Sequence, residues 1–320
     1  MRKKRLSFFK NPVLLSGIIG LSCMVLFFAG CATPHAQKRI AAFSTALSIA
    51  TSNTTDAFET VDQKFYQTKI ALLVNNYDEK GFNPNTEMRF LTGQDLAVRE
   101  ELFKGLQLYA EKLADIMSDA QLKEFDAETK AFGASLQKLN GNDAFKNIAD
   151  GSSSTNIDAF VTAVNAVGSF FINYKREKGV REIITEMKQP IENICNTLIS
   201  DIGQPMDNHG AGGLGLRNQS WLQYDVMLKA QIGFIDHNAG KLDPATKAEA
   251  IAKLPSIVEE QQKVDLTLKA TQNTLKKLKK THDELVKAFD ETCPTLENLI
   301  AELIHEGKRV GDFYKSLEKK

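Results

Sequence analysis

The chain has 320 residues, with 40 basic and 40 acidic side chains, 42% hydrophobic residues and four cysteines. Five of the basic residues and none of the acidic ones lie in residues 1–30, so residues 31–320 contain five more acidic than basic side chains. This length allows one large domain or two small ones, and the lack of a basic excess argues against nucleic acid as a partner.

The N-terminus combines a basic segment with an apolar one. Five basic residues precede an apolar stretch over residues 13–28, and the small residues Ala29 and Gly30 come directly before Cys31. A basic segment, an apolar stretch and small residues in this order are typical of a secretion signal. The ending resembles the lipobox of bacterial lipoproteins, with Phe28 at a position that this family usually fills with leucine.

The resemblance implies a lipid anchor. Members of that family lose the signal, here residues 1–30, and carry acyl chains on the cysteine that becomes the N-terminus, here Cys31. The bilayer would then be a partner of the chain, and we expect residues 31–39 to form a short tether. No aspartate follows the cysteine, which in enteric-type bacteria favours the periplasmic face of the outer membrane over the inner membrane. An uncleaved transmembrane helix remains an alternative, because the apolar stretch is nearly long enough to span a bilayer.

Apolar residues at steps of three and four predict a long amphipathic helix from residue 36 to about residue 75. About forty helical residues would be roughly 60 Å long. Residues 76–84 contain Gly81 and Pro84 and predict a turn. The apolar stripe consists of Ile40, Phe43, Leu47, Ala50, Ala57, Val61 and Phe65.

Two capping patterns predict the next helices. Thr92 with Asp95 three residues later predicts a helix start, and an apolar stripe continues to Ile116. Ser118 with Gln121 predicts another start, so we expect a third helix close behind the second.

The densest apolar stretch lies in residues 157–174, after a Gly-Ser-Ser-Ser segment that marks a candidate subdivision near 151–155. The polar residues Asp158 and Asn165 interrupt this stretch, so we expect a helix buried in protein rather than a bilayer span. A further helical stripe follows, and Pro190 is expected to kink or break it.

Residues 203–217 are rich in glycine and contain Pro205, so a long loop is predicted. Residues 210–215 match the G-x-G-x-x-G string of dinucleotide sites. That string needs an apolar strand before it, whereas residues 201–209 are mostly polar. We therefore expect a flexible loop and no cofactor. A small-ligand binder or enzyme that uses the 203–217 loop as a lid remains an alternative.

The C-terminal part has a seven-residue repeat. An Asp-Pro pair at 243–244 predicts a helix start. From Ile257 to Leu317 apolar residues recur every seven positions, interrupted at Pro294, which predicts a hairpin of two helices with a supercoiled seam. Because alternating strand patterns are absent, the sequence predicts an all-α domain over residues 40–320. We expect an elongated up-and-down bundle of long antiparallel helices with coiled-coil-like packing.

Apart from the lipobox cysteine, few residues are candidates for a site. Cys195 and Cys293 are the two cysteines left after the signal is removed and form a candidate disulfide in an oxidising compartment. Glu302 and His305 have the spacing of a di-iron ligand pair, but no second such pair occurs, so no metal site is expected. We expect His305 at the surface and His282, at a seam position, partly buried beside a polar group.

No spacing of catalytic residues is found, so the expected role is that of a non-enzymatic scaffold or accessory subunit in the cell envelope. Its protein partner is not identified by the sequence. Four lysines in residues 276–280 are expected to form a solvated helix face. A membrane-active protein of the helical pore-forming kind, with residues 157–174 stored for insertion, is a further alternative.

Overall fold

The computed structural model describes residues 34–81, 83, 88–118, 127–150, 157–173, 179–205, 213 and 215–318. The secondary structure in this part of the chain is helical, without strands, and the predicted all-α fold is confirmed. The described residues belong to one compact unit, Ala32–Lys320. The helices are α1 (Pro34–Lys80), α2 (Gly93–Met117), α3 (Ala127–Lys138), α4 (Asp143–Asp150), α5 (Ile157–Asn173), α6 (Val180–Ile202), α7 (Gly215–His237), α8 (Pro244–Glu284) and α9 (Pro294–Glu318), with 3₁₀ turns at Leu139–Gly141 and Leu285–Phe289.

Two helices start at the predicted capping patterns. The Thr92 hydroxyl accepts a hydrogen bond from the Asp95 N–H (3.1 Å), and the Asp95 carboxylate accepts one from the Thr92 N–H (3.0 Å) at the start of α2. The Asp243 carboxylate accepts hydrogen bonds from the N–H groups of Ala245 and Thr246 at the start of α8. Both predictions are confirmed, because these side chains satisfy N–H groups that the helix itself leaves unbonded.

The first helix is longer than predicted. α1 begins at Pro34, so the tether expected over residues 31–39 is helical from Pro34 onward, and α1 continues to Lys80. Gly81 has a φ of 62°, a left-handed backbone conformation that glycine adopts without strain, and follows the last helical residue. The turn predicted over residues 76–84 is therefore wrong up to Lys80, because no glycine or proline interrupts the helix before Gly81.

α6 passes through Pro190 without ending, so of the two predicted effects the break does not occur, and the kink stays a prediction. Pro190 is only partly buried, at a position where water can compensate for the missing backbone hydrogen bond. The apolar residues Met187, Ile191 and Ile194 on both sides of it are buried in the core. Their packing holds both halves of α6 in the bundle.

Other predicted features fall partly or wholly outside the described residues. Ser118 caps the C-terminal end of α2 instead of starting a helix, and Gln121 is not among the described residues. The candidate subdivision near residues 151–155 and the signal over residues 1–30 also lie outside them. The helix start predicted at Ser118 is therefore wrong, whereas the subdivision and the signal stay predictions.

The last two helices form an antiparallel hairpin. Thr281 in α8 donates a hydrogen bond to the Leu299 carbonyl in α9 (3.3 Å), and Lys277 forms an ion pair with Glu302. The seven-residue repeat in α8 and at the start of the following 3₁₀ turn marks buried positions, while supercoiling of the seam stays a prediction. The buried repeat positions are Ile257, Val264, Thr271, Leu278 and Leu285.

α1 and α9 form the most extensive helix pair and run parallel, which differs from the uniformly antiparallel arrangement that we expected. Asn53 donates a hydrogen bond to the Gly307 carbonyl (3.0 Å), and the Tyr314 hydroxyl donates one to Asp56 (3.0 Å). A Cβ atom built on Gly307 would lie 2.9 Å from the Cα of Ala50. The backbones of the two helices are therefore as close as a glycine allows.

α5 is a buried helix, as predicted. Phe160 stacks on Phe145 of α4, with 4.6 Å between the ring centroids. Gly168 meets Gly133 of α3 so closely that a Cβ atom on either glycine would lie 2.7 Å from the carbonyl oxygen of the other. Within the described ranges, no helix combines the length and the apolar character needed to cross a membrane.

Replacing Gly307 by alanine tests the close approach of α1 and α9. We expect the free energy of unfolding to fall by about 1–3 kcal/mol, because the added methyl group would press on the Ala50 backbone. Gly233→Ala in α7 is the matched control. No atom lies within 4 Å of its Cβ position, so higher helix propensity should raise stability by up to about 1 kcal/mol. Urea unfolding followed by circular dichroism measures both, and an unchanged Gly307→Ala variant would contradict the close approach.

Candidate functional site

The large apolar side chains that are exposed among the described residues lie on three helices, α1, α7 and α8. Of these side chains, only Val74 lines a groove between the three helices. An apolar side chain that is exposed in a groove is a candidate contact for a partner. The exposed residues are Tyr66, Ile70, Val74, Leu222, Val226, Ile232, Ile251 and Leu266.

α1, α7 and α8 surround a groove of about 330 Å³, which we call the terminal groove. α7 packs against both other helices and forms the floor, while α1 and α8 form the walls. Three helices thus position the site, and each contributes side chains to it. The lining residues are Ala71, Val74, Tyr224, Met227, Gln231, Lys253, Ser256, Ile257 and Glu260.

Hydrogen bonds fix α7 against α8 at the floor of the groove. The Tyr224 hydroxyl donates to the Glu260 carboxylate (2.9 Å), and the Gln231 side chain donates to the Ala250 carbonyl (3.1 Å). Burial, together with the charge of Glu260, raises the pKa of Tyr224 well above its ordinary value. Tyr224 therefore stays protonated and keeps donating, and the floor is formed before any ligand binds.

The lining of the terminal groove is mostly apolar, and its two charged residues are Lys253 and Glu260. Ile257 is buried, whereas Val74 on the α1 wall is 70% exposed. Lys253 is exposed on the α8 wall and has no ion-pair partner in the part of the chain that the structure describes. The described lining of the groove includes no histidine that could act as a base for Ser256 and no cysteine that could act as a nucleophile. The arrangement suits binding of a ligand that has an apolar face and an acidic group.

His282 is buried in the core, and the polar neighbour predicted for it is confirmed. Its Nε2 lies 3.0 Å from the Tyr109 hydroxyl, while the rings of Phe43 and Phe170 pack against His282 and Tyr109 respectively. Burial lowers the pKa of His282 to about 3, with a smaller contribution from the positive charge of Lys188. The imidazole is therefore neutral at neutral pH, and the Tyr109–His282 pair is a structural hydrogen bond.

The two ends of the glycine-rich loop are held together. Gly203 follows α6 and Gly215 opens α7, with φ values of 68° and 67°. A Cβ atom on Gly215 would lie 2.3 Å from the Asp201 carbonyl oxygen, so only glycine fits there. The Gln272 side chain of α8 donates a hydrogen bond to the Gly203 carbonyl (2.7 Å). Most of the loop between these glycines lies outside the described residues, so its use as a lid stays untested.

Two arginine–aspartate pairs support the base of this loop. Arg99 in α2 donates two hydrogen bonds to Asp201 (2.7 and 2.9 Å), and Arg217 in α7 donates two to Asp265 in α8 (2.7 and 2.9 Å). Burial raises the pKa of Asp201, and the guanidinium group of Arg99 opposes that shift. Both arginines are occupied by carboxylates of their own chain and join helices rather than bind a ligand.

The candidate disulfide between Cys195 and Cys293 is not formed, since both are buried free thiols. α6 runs antiparallel to α8, and Arg181 at the start of α6 pairs with Asp290, close to Cys293 in sequence (3.7 Å). Cys195 is 14 residues further along α6 than Arg181, so these two residues are about 21 Å apart along the helix axis. A disulfide needs Cα atoms within about 7 Å. Burial raises the pKa of the Cys195 thiol to about 12.

The remaining sequence candidates lie on other helix faces. His305 is exposed on α9, as predicted, and Glu302 pairs with Lys277 of α8. Lys279 pairs with Glu192 (2.7 Å), so two of the four lysines in the expected solvated face form ion pairs. Where side chains are described, no group of three or more His, Cys, Asp or Glu residues is placed to hold a metal ion.

The terminal groove could not be predicted from the sequence. Ala71, Met227 and Ile257 follow the spacing of core residues, so nothing in the pattern distinguishes them from the core. The available signal was Val74, which lies about 140° around the helix from Val61 in the apolar stripe. An apolar residue on the polar side of a helix indicates a second contact surface.

Comparison of the chain with known proteins gives no relative: no protein family, no curated protein and no solved structure matches it. Cys31 and the residues that resemble a lipobox lie outside the described residues. The lipid anchor therefore stays a prediction at this point.

The buried His282 predicts a loss of stability in acid. Its pKa is about 3 in the folded protein and about 6.5 when unfolded, so only the unfolded state gains a proton as the pH falls below about 6.5. The stabilising contribution is complete above about pH 6.5 and is lost between about pH 6.5 and 3, by up to about 1.4 kcal/mol per pH unit. Urea unfolding at about pH 7.5 and pH 5 should show a steeper loss in the wild type than in His282→Gln.

His305→Gln is the matched control for this measurement. His305 is exposed, so its removal should leave the pH dependence of the wild type unchanged. An equal pH dependence in the wild type and in His282→Gln would contradict a buried, neutral imidazole.

Proposed function

We propose that the chain is a lipid-anchored helical scaffold of the bacterial envelope, whose terminal groove binds a protein partner. The observation that carries the proposal is the terminal groove, a mostly apolar opening between three helices in which Val74 is 70% exposed. An apolar surface with polar groups at its edge is typical of a protein–protein interface. The proposed role is non-enzymatic, because the groove offers a binding surface rather than reactive groups.

The start of α1 supports the lipid anchor. α1 begins at Pro34, three residues after Cys31. The buried guanidinium group of Arg39 donates hydrogen bonds to the carbonyls of Ala288 (3.2 Å) and Asp290 (2.6 Å), so the first turns of α1 are fixed to the rest of the bundle. A cysteine this close to a fixed helix leaves only a short tether between acyl chains and bundle.

α1 separates the proposed anchor from the groove. Its 47 residues make a helix about 70 Å long, and Ala71 and Val74 lie roughly 55–60 Å along it from Pro34. Acyl chains at one end and a partner at the other would not compete for the same surface. The protein would therefore bind its partner while it stays anchored.

The proposed location is the periplasmic face of the outer membrane, because no aspartate follows Cys31. One acyl chain holds a protein only marginally in a bilayer, since each buried methylene contributes about 0.8 kcal/mol. The two or three chains that lipoproteins carry would make the attachment stable.

Metabolic labelling tests the anchor. In bacteria grown with an alkyne-bearing palmitate, we expect label on the wild type and on Cys23→Ser but none on Cys31→Ser, because only the lipobox cysteine would be acylated. Cys23→Ser is the matched control, because this cysteine lies in the proposed signal and would be removed with it. Intact mass spectrometry of the detergent-extracted wild type should give residues 31–320 plus acyl groups.

Two outcomes would contradict the lipid anchor. The first is label on Cys31→Ser at the wild-type level. The second is a membrane-bound, unmodified precursor that keeps residues 1–30, which would favour the transmembrane alternative.

A further inference from the structure

We infer that a groove between the first turns of α1 and α9 binds the phosphate group of a membrane phospholipid. The inference rests on the proposed function, because it assumes the lipid anchor at Cys31. The groove has a volume of about 260 Å³, and we call it the anchor groove. Its lining residues are His35, Lys38, Arg39, Ala42, Glu297 and Ile300.

One face of each helix forms the anchor groove. The four lining residues of α1 occur at steps of three and four, so they lie on one side of that helix. The two lining residues of α9 are three positions apart, which also places them on one side. Because α1 and α9 run parallel, both helices begin at this end of the bundle.

The buried side chain of Arg39 fixes the two helices at the anchor groove. Its Nε donates a hydrogen bond to the Glu297 carboxylate (3.1 Å). One of its terminal nitrogens donates to the carbonyls of Ala288 (3.2 Å) and Asp290 (2.6 Å). The groove is therefore formed before any ligand binds, and the charges of Arg39 and Glu297 compensate each other.

His35 and Lys38 supply the donors that a phosphate group requires. Both residues are exposed, and neither has an ion-pair partner in the part of the chain that the structure describes. An ammonium group has three N–H donors, and an imidazole has at least one. Phosphate oxygens accept strong hydrogen bonds from charged donors. In the described lining, Lys38 is thus the cation whose charge is left for a ligand.

The position of the anchor groove indicates that its ligand comes from the membrane. Three residue steps join Cys31 to Pro34 and span at most about 11 Å. Helix side chains tilt toward the N-terminus, so those of His35 and Lys38 would lean toward the cysteine. With acyl chains on Cys31 in the bilayer, the phosphates of neighbouring lipids would come within reach of both side chains.

The apolar part of the lining favours a lipid headgroup over free phosphate. Ile300 is buried and Ala42 is half-buried. Their side chains offer no donor to phosphate, but they suit the carbon atoms of a headgroup. A partner helix is about 10–12 Å wide, so a groove of this volume suits a headgroup better than a helix.

Native mass spectrometry of the acylated protein tests the site, because a bound phospholipid adds its mass to that of the covalent acyl groups. The protein is extracted from bacteria in a non-ionic detergent. It is titrated with phosphatidylglycerol or with a galactosyl diacylglycerol, which lacks the phosphate. We expect phosphatidylglycerol to bind at lower concentrations than the galactolipid. An equal concentration of inorganic phosphate should displace little of it.

Lys38→Glu and Lys308→Glu form a matched pair of variants. Both lysines are exposed and both variants change the charge equally, but Lys308 is not part of the groove lining. We expect Lys38→Glu to weaken phosphatidylglycerol binding by about three- to tenfold, because a repulsion replaces an attraction at an exposed site. Lys38→Arg should keep most of the binding, and Lys308→Glu should bind like the wild type.

Three outcomes would overturn the inference. They are equal binding of the two lipids, equal binding by Lys38→Glu and Lys308→Glu, and displacement by inorganic phosphate, which would make free phosphate the ligand. Lost lipid selectivity with normal palmitate labelling would leave the lipid anchor standing. Absent labelling with normal lipid selectivity would overturn the anchor alone.

Discussion

The close packing of α9 against α1 is the constraint on which the rest of the structure depends. Gly307 and Gly311 have no side chains, so the two backbones approach until Ala50 and Asn53 of α1 fill the space above them. α9 is also the second arm of the hairpin with α8, so this contact fixes the position of α8 relative to α1. α6 and α7 in turn pack on α8. The terminal groove lies between α1, α7 and α8.

Buried charged groups in this bundle hold helices together and do not form a reactive site. Arg39, Arg99 and Arg217 each bond to a carboxylate and are largely buried. Arg39 also bonds to the backbone carbonyls of Ala288 and Asp290. Burying a charge is costly unless several hydrogen bonds compensate, so these arginines favour one arrangement of the helices over others. A partner would therefore bind through apolar contacts in the terminal groove.

The sequence predicted local features well and long-range ones poorly. The helix caps and the apolar periodicity of α5 depend on residues within a few turns, and sequence spacing records such relations directly. The hydrogen-bond partner of His282, in contrast, is Tyr109, 173 positions away, and the sequence did not identify it. The parallel α1–α9 pair joins residues 258 positions apart. The apolar periodicity within each helix does not show whether the two helices run parallel or antiparallel. The same limit explains the disulfide prediction, because the distance between Cys195 and Cys293 depends on the register of α6 against α8. The groove was missed because it forms where α1 packs with α7 and α8, and sequence periodicity does not show which helices pack together.

Site-specific photocrosslinking in intact bacteria tests the central claim most directly, namely that the terminal groove binds a protein partner. A crosslinking amino acid at Val74, which lines the groove, is predicted to capture a protein that the same amino acid at the exposed His305 of α9 does not capture. Equal capture at both positions, or capture at neither, would contradict the claim.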